Sequence, residues 1–124
     1  MASSFGWASV GDWARVGELL RNDGRWGGRQ IVPAGFLALA QTPAVDAGEG
    51  RAYGAQTWRI GESSFGDCRG RGLPEDTLAL AGHWGQIVAV IPSRNAVIVR
   101  LGWTFRQEQF DTCRFVADVV AALR

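Results

Sequence analysis

The chain's one histidine, His83, stands between Gly82 and Gly85 in the run Ala81-Gly-His-Trp-Gly-Gln86. Directly after it come two β-branched runs, 86–91 and 96–101, joined by Pro92-Ser-Arg-Asn95. Two such runs around a four-residue turn predict a tight antiparallel hairpin. A glycine next to a polar residue at a strand edge lets another backbone or a ligand approach closely, so His83 is expected to face a cleft. An imidazole there could exchange a proton or hold a polar group of a substrate. A lone histidine is, by itself, more often a hydrogen-bonded structural residue.

The triplet His83-Trp84-Gly85 resembles the last motif of the serine β-lactamase, penicillin-binding-protein and esterase superfamily, in which Lys-Thr-Gly or His-x-Gly opens a strand beside the active site. The likeness extends along the chain. Ser9-Val-Gly-Asp-Trp-Ala-Arg-Val-Gly17 and Asn22-Asp-Gly-Arg-Trp26-Gly-Gly-Arg-Gln-Ile31-Val-Pro33 look like the helix and loop that precede that strand, and Phe115-Val-Ala-Asp-Val-Val-Ala-Ala-Leu123 looks like the closing helix. The resemblance implies a class C β-lactamase-related, esterase-like parent and a partial β-lactamase/transpeptidase-like fold. It also reverses the odds on His83, which it places in the active site, with the Gln86 backbone amide as one oxyanion donor and Trp84 and Gly85 contacting substrate.

Other parts of the family pattern are missing. Members attack with the serine of a Ser-x-x-Lys motif and add a Tyr-x-Asn type motif. All thirteen basic residues here are arginines, and the one tyrosine, Tyr53, sits in Tyr-Gly-Ala. Arginine stays protonated and cannot serve as the base. The resemblance therefore implies that both motifs lie upstream of Met1, which would be an internal start or a truncation, and that this chain alone is inactive. The implied partners are a small ester or amide substrate and the N-terminal part of the same domain. A parent of this family is expected in the periplasm or outside the cell. Lysine-threonine presents a fixed cation and a hydroxyl to a substrate carboxylate, whereas histidine is mostly neutral near neutral pH and an indole offers one N–H. That favours an ester- or amide-cleaving parent over a true β-lactamase.

Six tryptophans support an alternative from another class, a non-catalytic module that stacks ligands on exposed indoles. Tryptophans more often fill a core: Trp13 suits a helix face, and Trp26 and Trp58 the gaps between helix and sheet, leaving Trp84 and Trp103 as candidates for a cleft wall. Arg69 and Arg71 could meet an anion, though an exposed charged loop is the plainer reading. Glu75-Asp76 reads as a turn or strand cap. There is no histidine-cysteine cluster with metal-ligand spacing and no phosphate-binding glycine motif, so no cofactor or metal is expected.

The elements that must position these residues form one unit over 1–124, of α+β class, with a small antiparallel sheet between terminal helices. Ser9 reads as the N-cap of a helix with Asp12 in its first turn; Val10, Trp13, Val16 and Leu20 share one face, and Arg15, Glu18 and Arg21 are left to water. Asn22-Asp23-Gly24 stops it. Gly27-Gly28 predicts a hairpin-like loop, and Pro33 a short helix reaching about Ala40. A loop is expected over 42–51, a strand over 53–60, a surface loop over 61–74 and a strand from Thr77 through Ala81 to His83. The last helix starts near Asp111 or Thr112 and buries Phe115, Val116, Val119, Val120 and Leu123. If the sheet continues into upstream strands, Val88, Val90, Val97 and Val99 should be partly wet and the chain should self-associate.

Cys68 and Cys113 read either as one disulfide, worth roughly 3 to 4 kcal/mol, or as two thiols. A net charge of +1 without a basic block makes nucleic acid an unexpected partner. No apolar stretch is long enough to span a bilayer, and the N-terminus lacks a signal-peptide pattern.

Overall fold

The computed structural model describes residues 6–44, 53–60, 68, 70–106 and 109–123. In chain order the elements are α1 (Val10–Arg21), β1 (Arg25–Trp26), β2 (Arg29–Gln30), α2 (Phe36–Gln41), β3 (Trp58–Arg59), β4 (Leu78–Ala81), β5 (Ile87–Ile91), β6 (Ala96–Arg100) and α3 (Thr112–Ala122). The fold is α+β. β3, β4, β5 and β6 form an antiparallel meander in that order, with Leu80 opposite Val88 and Ala89 opposite Ile98.

α1 begins where its cap demands. The Ser9 hydroxyl accepts from the Asp12 N–H, and the Asp12 carboxylate accepts from the Ser9 N–H, so two otherwise orphan donors are satisfied. The helix ends at Asn22, where Gly24 takes a positive φ of 80° and donates to the Leu19 carbonyl. Gly27 and Gly28 make the β1–β2 turn with φ of 54° and 78°. α3 is capped by Asp111, whose carboxylate accepts from the Arg114 N–H.

β5 is buried on both sides. Leu78, Val88 and Val90 face α1 and α2 with Trp13, Leu20, Phe36, Leu37, Val97 and Val99 packed against them. Ala79, Ile87, Ala89, Ile91 and Ile98 face the other way, onto Cys113, Val116 and Val120 of α3. The period-two alternation of the strands thus feeds two cores.

Several expectations need correction. The contact stripe of α1 is Trp13, Gly17 and Leu20, and Gly17 is buried because the helix approaches the sheet closely there; Val10 and Val16 are exposed. Arg21 is half-buried, not left to water: it pairs with Glu18 at 2.6 Å and donates to Asn95 on the β5–β6 turn. α2 starts at Phe36, three residues after Pro33. Within 53–60 only Trp58–Arg59 is a strand; Gln56 has a φ of 60° and Gly54 donates to Thr57, so the segment folds back on itself. Trp26 is half in water and fills no gap, and Leu123 is exposed. Val88 and Val90 are buried and not partly wet, since the chain's own helices cover both faces of β5, whereas Val97 and Val99 are half-buried, as expected.

Of the two cysteine readings, the disulfide is the one found: Cys68 and Cys113 are bonded, with Cα atoms 5.0 Å apart. Much of the loops expected over 42–51 and 61–74 lies outside the described residues, as do Ser63, Ser64 and Arg69. No helix among the described residues is long and apolar enough to cross a membrane.

Candidate functional site

The residues singled out in the sequence lie together at one end of the sheet, where β4 turns into β5. β4 ends at Ala81 and does not run through His83. His83–Gly85 form a tight turn that is left-handed at Trp84 and Gly85, and β5 opens at Ile87. The reason is local: Trp84 has φ 59° and ψ 35°, and Gly85 has φ 77°, neither compatible with an extended strand. The triplet therefore makes the turn before a strand instead of the strand itself. His83 and Trp84 are exposed, and Gly85 and Gln86 half-buried.

The turn is closed by the Gly82 N–H, which donates to the Gln86 carbonyl at 2.8 Å. Antiparallel partners of this kind normally exchange two hydrogen bonds. Only that one is made here, and among the described residues the Gln86 N–H has no hydrogen-bond partner.

The last residue of β6, Arg100, and Thr104 beyond it hold the turn from the side. The Thr104 N–H donates to the Trp84 carbonyl at 3.1 Å. Arg100 donates from Nη1 to the Gly85 carbonyl at 2.5 Å and from Nη2 to the Thr104 hydroxyl at 2.6 Å, and its guanidinium carbon lies 3.8 Å from the centre of the Phe110 ring. Phe110 in turn packs on Phe115 of α3 at 5.5 Å. Each peptide carbonyl of the left-handed segment is thus satisfied by a fixed donor, which is how an unfavourable backbone persists.

Four rings cluster around the turn. The Trp84 indole is 4.7 Å from His83, 5.8 Å from Trp103 and 4.8 Å from Phe105, centre to centre. Trp103 and Phe105 are 6.1 Å apart and nearly perpendicular. They remain largely in water, at 75% and 63% exposure, against 37% for Trp84. The sequence reading found Trp84 and Trp103 but missed Phe105, Arg100 and Thr104. Trp103-Thr-Phe105 did carry a signal: in extended chain, residues two apart point the same way, so the two rings share a side.

The remaining polar candidates play structural parts. Asp76 accepts from the Ser93 N–H and hydroxyl at 2.6 and 2.7 Å, which clamps the β5–β6 turn. Arg71 pairs with Asp111 at 2.7 Å beside the disulfide. An open depression of about 220 Å³, lined by Gln41, Arg59, Glu75, Asp76 and Leu78, shares no residue with the His83 turn. No group of three metal-ligating side chains occurs among the described residues. No family model, curated protein or solved structure matches this chain.

Proposed function

We propose that the chain is the C-terminal portion of a β-lactamase-related serine hydrolase, with a partial β-lactamase/transpeptidase-like fold, that cleaves esters or amides through an acyl-enzyme. The observation that carries this reading is the unspent Gln86 N–H beside the exposed His83. In the reaction, a serine supplied from upstream adds through Oγ to the substrate carbonyl carbon, and its proton passes to an upstream lysine amine. The carbonyl electron pair moves onto oxygen, where the Gln86 N–H and the serine's own N–H donate to it. One such donor contributes about 3 kcal/mol to the transition state. On collapse the lysine returns that proton to the leaving oxygen or nitrogen, so a neutral alcohol or amine departs, and water then adds to the acyl carbon to release the acid and the free serine. His83 supplies a polar group at the substrate, with Trp84 and Gly85 alongside.

The test joins this chain to the segment encoded in frame before Met1. A fluorophosphonate should label a serine of that segment, and His83→Ala should lower kcat/KM roughly ten- to a thousandfold without loss of stability. Turnover by the chain alone, with labelling at Ser63 or Ser64, would refute the proposal. The exposure of Trp84 and Trp103 favours a second reading, a non-catalytic module that binds its ligand on exposed indoles. Quenching of indole fluorescence by a disaccharide, without any acyl-enzyme in the joined protein, would select it.

A further inference from the structure

We infer that the Trp84, Trp103 and Phe105 rings form a recognition wall for an uncharged aromatic group of the ligand, and that Arg100 builds this wall instead of binding the ligand; the inference rests on the hydrolase reading above.

Three observations lead there. The first is backbone geometry. Tryptophan is disfavoured in a left-handed conformation, and a turn that only had to reverse the chain would be better served by glycine or asparagine. Here the backbone at φ 59° is fixed by Thr104 and Arg100, and it turns the indole onto Trp103 and Phe105 at the surface. Strain of this kind, held by its surroundings, points to a use for the side chain it presents.

The second observation is charge. A carboxylate-bearing ligand calls for a cation aimed at it. Arg100 touches the turn, but its fork points at the fold: one N–H of Nη1 goes to the Gly85 carbonyl, one N–H of Nη2 goes to the Thr104 hydroxyl, and the guanidinium lies over the Phe110 ring. Its planar group is held by those three partners. The surface left beside His83 is made of ring carbon, so it suits a neutral group.

Ring geometry is the third. The planes of Trp84 and Trp103 meet at 50°, those of Trp84 and Phe105 at 57°, and those of Trp103 and Phe105 at 82°. A sugar stacks on flat ring faces. A faceted wall of edges and faces receives another aromatic ring, which packs edge-to-face or offset at centroid distances of about 4.5 to 7 Å.

The experiment uses the chain as it stands and reads binding without turnover. N-benzylacetamide, a neutral aromatic amide, is titrated while the indole N–H resonances are followed by NMR and assigned by substitution. The Trp84 and Trp103 signals should shift together, whereas Trp7, Trp13, Trp26 and Trp58 stay in place. Phenylacetate, which would have to desolvate a carboxylate without a partner, should bind about tenfold more weakly. Cellobiose and N-butylacetamide should leave both signals in place. Trp103→Ala and Trp84→Gly should each weaken the amide about three- to tenfold. Trp103 is exposed enough that its removal leaves the fold intact, and glycine tolerates the left-handed backbone at 84, so neither loss would reflect unfolding.

Tighter binding of phenylacetate, abolished by Arg100→Met, would make Arg100 an anion anchor and overturn the inference. So would equal binding of cellobiose or N-butylacetamide, or no shift at all. Because no turnover is read, binding of the aromatic amide with no hydrolysis by the joined enzyme would sink the hydrolase reading alone. Hydrolysis without any preference for aromatic groups would sink the wall alone.

Discussion

The Arg100 guanidinium donates to the Gly85 carbonyl at 2.5 Å, and so ties the end of β6 to the turn between β4 and β5. The same fork holds the Thr104 hydroxyl, which is nearly buried. Arg100→Met keeps much of the apolar stem but leaves both oxygens without their charged donor, at a cost of about 2 kcal/mol. Lysine cannot span two acceptors as a planar fork does, so Arg100→Lys should recover only part of that loss. Urea unfolding measures the cost, and amide exchange over 83–86 should quicken in the methionine variant. Unchanged exchange there would show that the turn holds itself.

The hairpin was legible in the sequence because two β-branched runs flank a Pro-Ser-Arg-Asn turn; the starts of α1 and α3 were legible because Ser9 and Asp111 are good caps, and α2, whose N-cap Gly35 has no side chain, started later than Pro33 suggested. The His83 turn was not. Tryptophan gives no sequence sign of a left-handed backbone, and the donors that hold it, Arg100 and Thr104, bond across the end of the sheet, where no local pattern points. The inner face of α1 was misread for another reason. Counting apolar residues chose Val10 and Val16, whereas close packing on β5 and β6 chose Gly17, the residue with no side chain to bury.

That choice is testable. A Cβ added at Gly17 would lie 2.4 Å from Cγ1 of Val97 and 3.0 Å from Cγ1 of Val88. Alanine at an ordinary helix position gains up to about 1 kcal/mol over glycine. Overpacking costs roughly 1 to 3 kcal/mol, so Gly17→Ala should be a net loss. Val97→Ala, destabilising by itself, should be less so in the Gly17→Ala background. A double-mutant cycle by thermal unfolding gives the coupling, and strict additivity would mean that the helix simply moves away.

The Cys68–Cys113 bond closes a loop with a sequence separation of 45, and both residues are buried. In the chain-entropy account a loop of that length contributes about 4 kcal/mol. Replacing both cysteines by alanine should therefore lower Tm by roughly 10 to 20 °C, and a reducing agent should do the same to the native chain and nothing to the variant. A reductant that leaves Tm of the native chain unmoved would show that the bond does not form in solution.

Asp23 links the end of α1 to the start of α2, because its carboxylate accepts from the Gly35 N–H at 2.8 Å and the Leu37 N–H at 3.0 Å. Those two donors, the Gly35 amide first, hold its pKa below the usual carboxylate value. The sign follows from linkage. A carboxyl whose folded pKa lies below its unfolded value, about 3.9 for aspartate, stabilises fully above that unfolded value, and the contribution disappears as pH falls through the folded one. Asp12, lowered chiefly by the Ser9 hydroxyl, and Asp111, lowered chiefly by the Arg114 N–H, act in the same direction. Asp23→Asn should thus be less stable than the native chain near neutral pH and should approach it in acid, with a shallower but not flat acid limb. Asparagine also accepts the left-handed φ of 49° at this position, so the backbone is not the cause of the difference. Chemical unfolding at a series of pH values from about 2 to 7 tests this, and parallel curves for the two proteins would show that the Asp23 charge contributes nothing to the junction of α1 and α2.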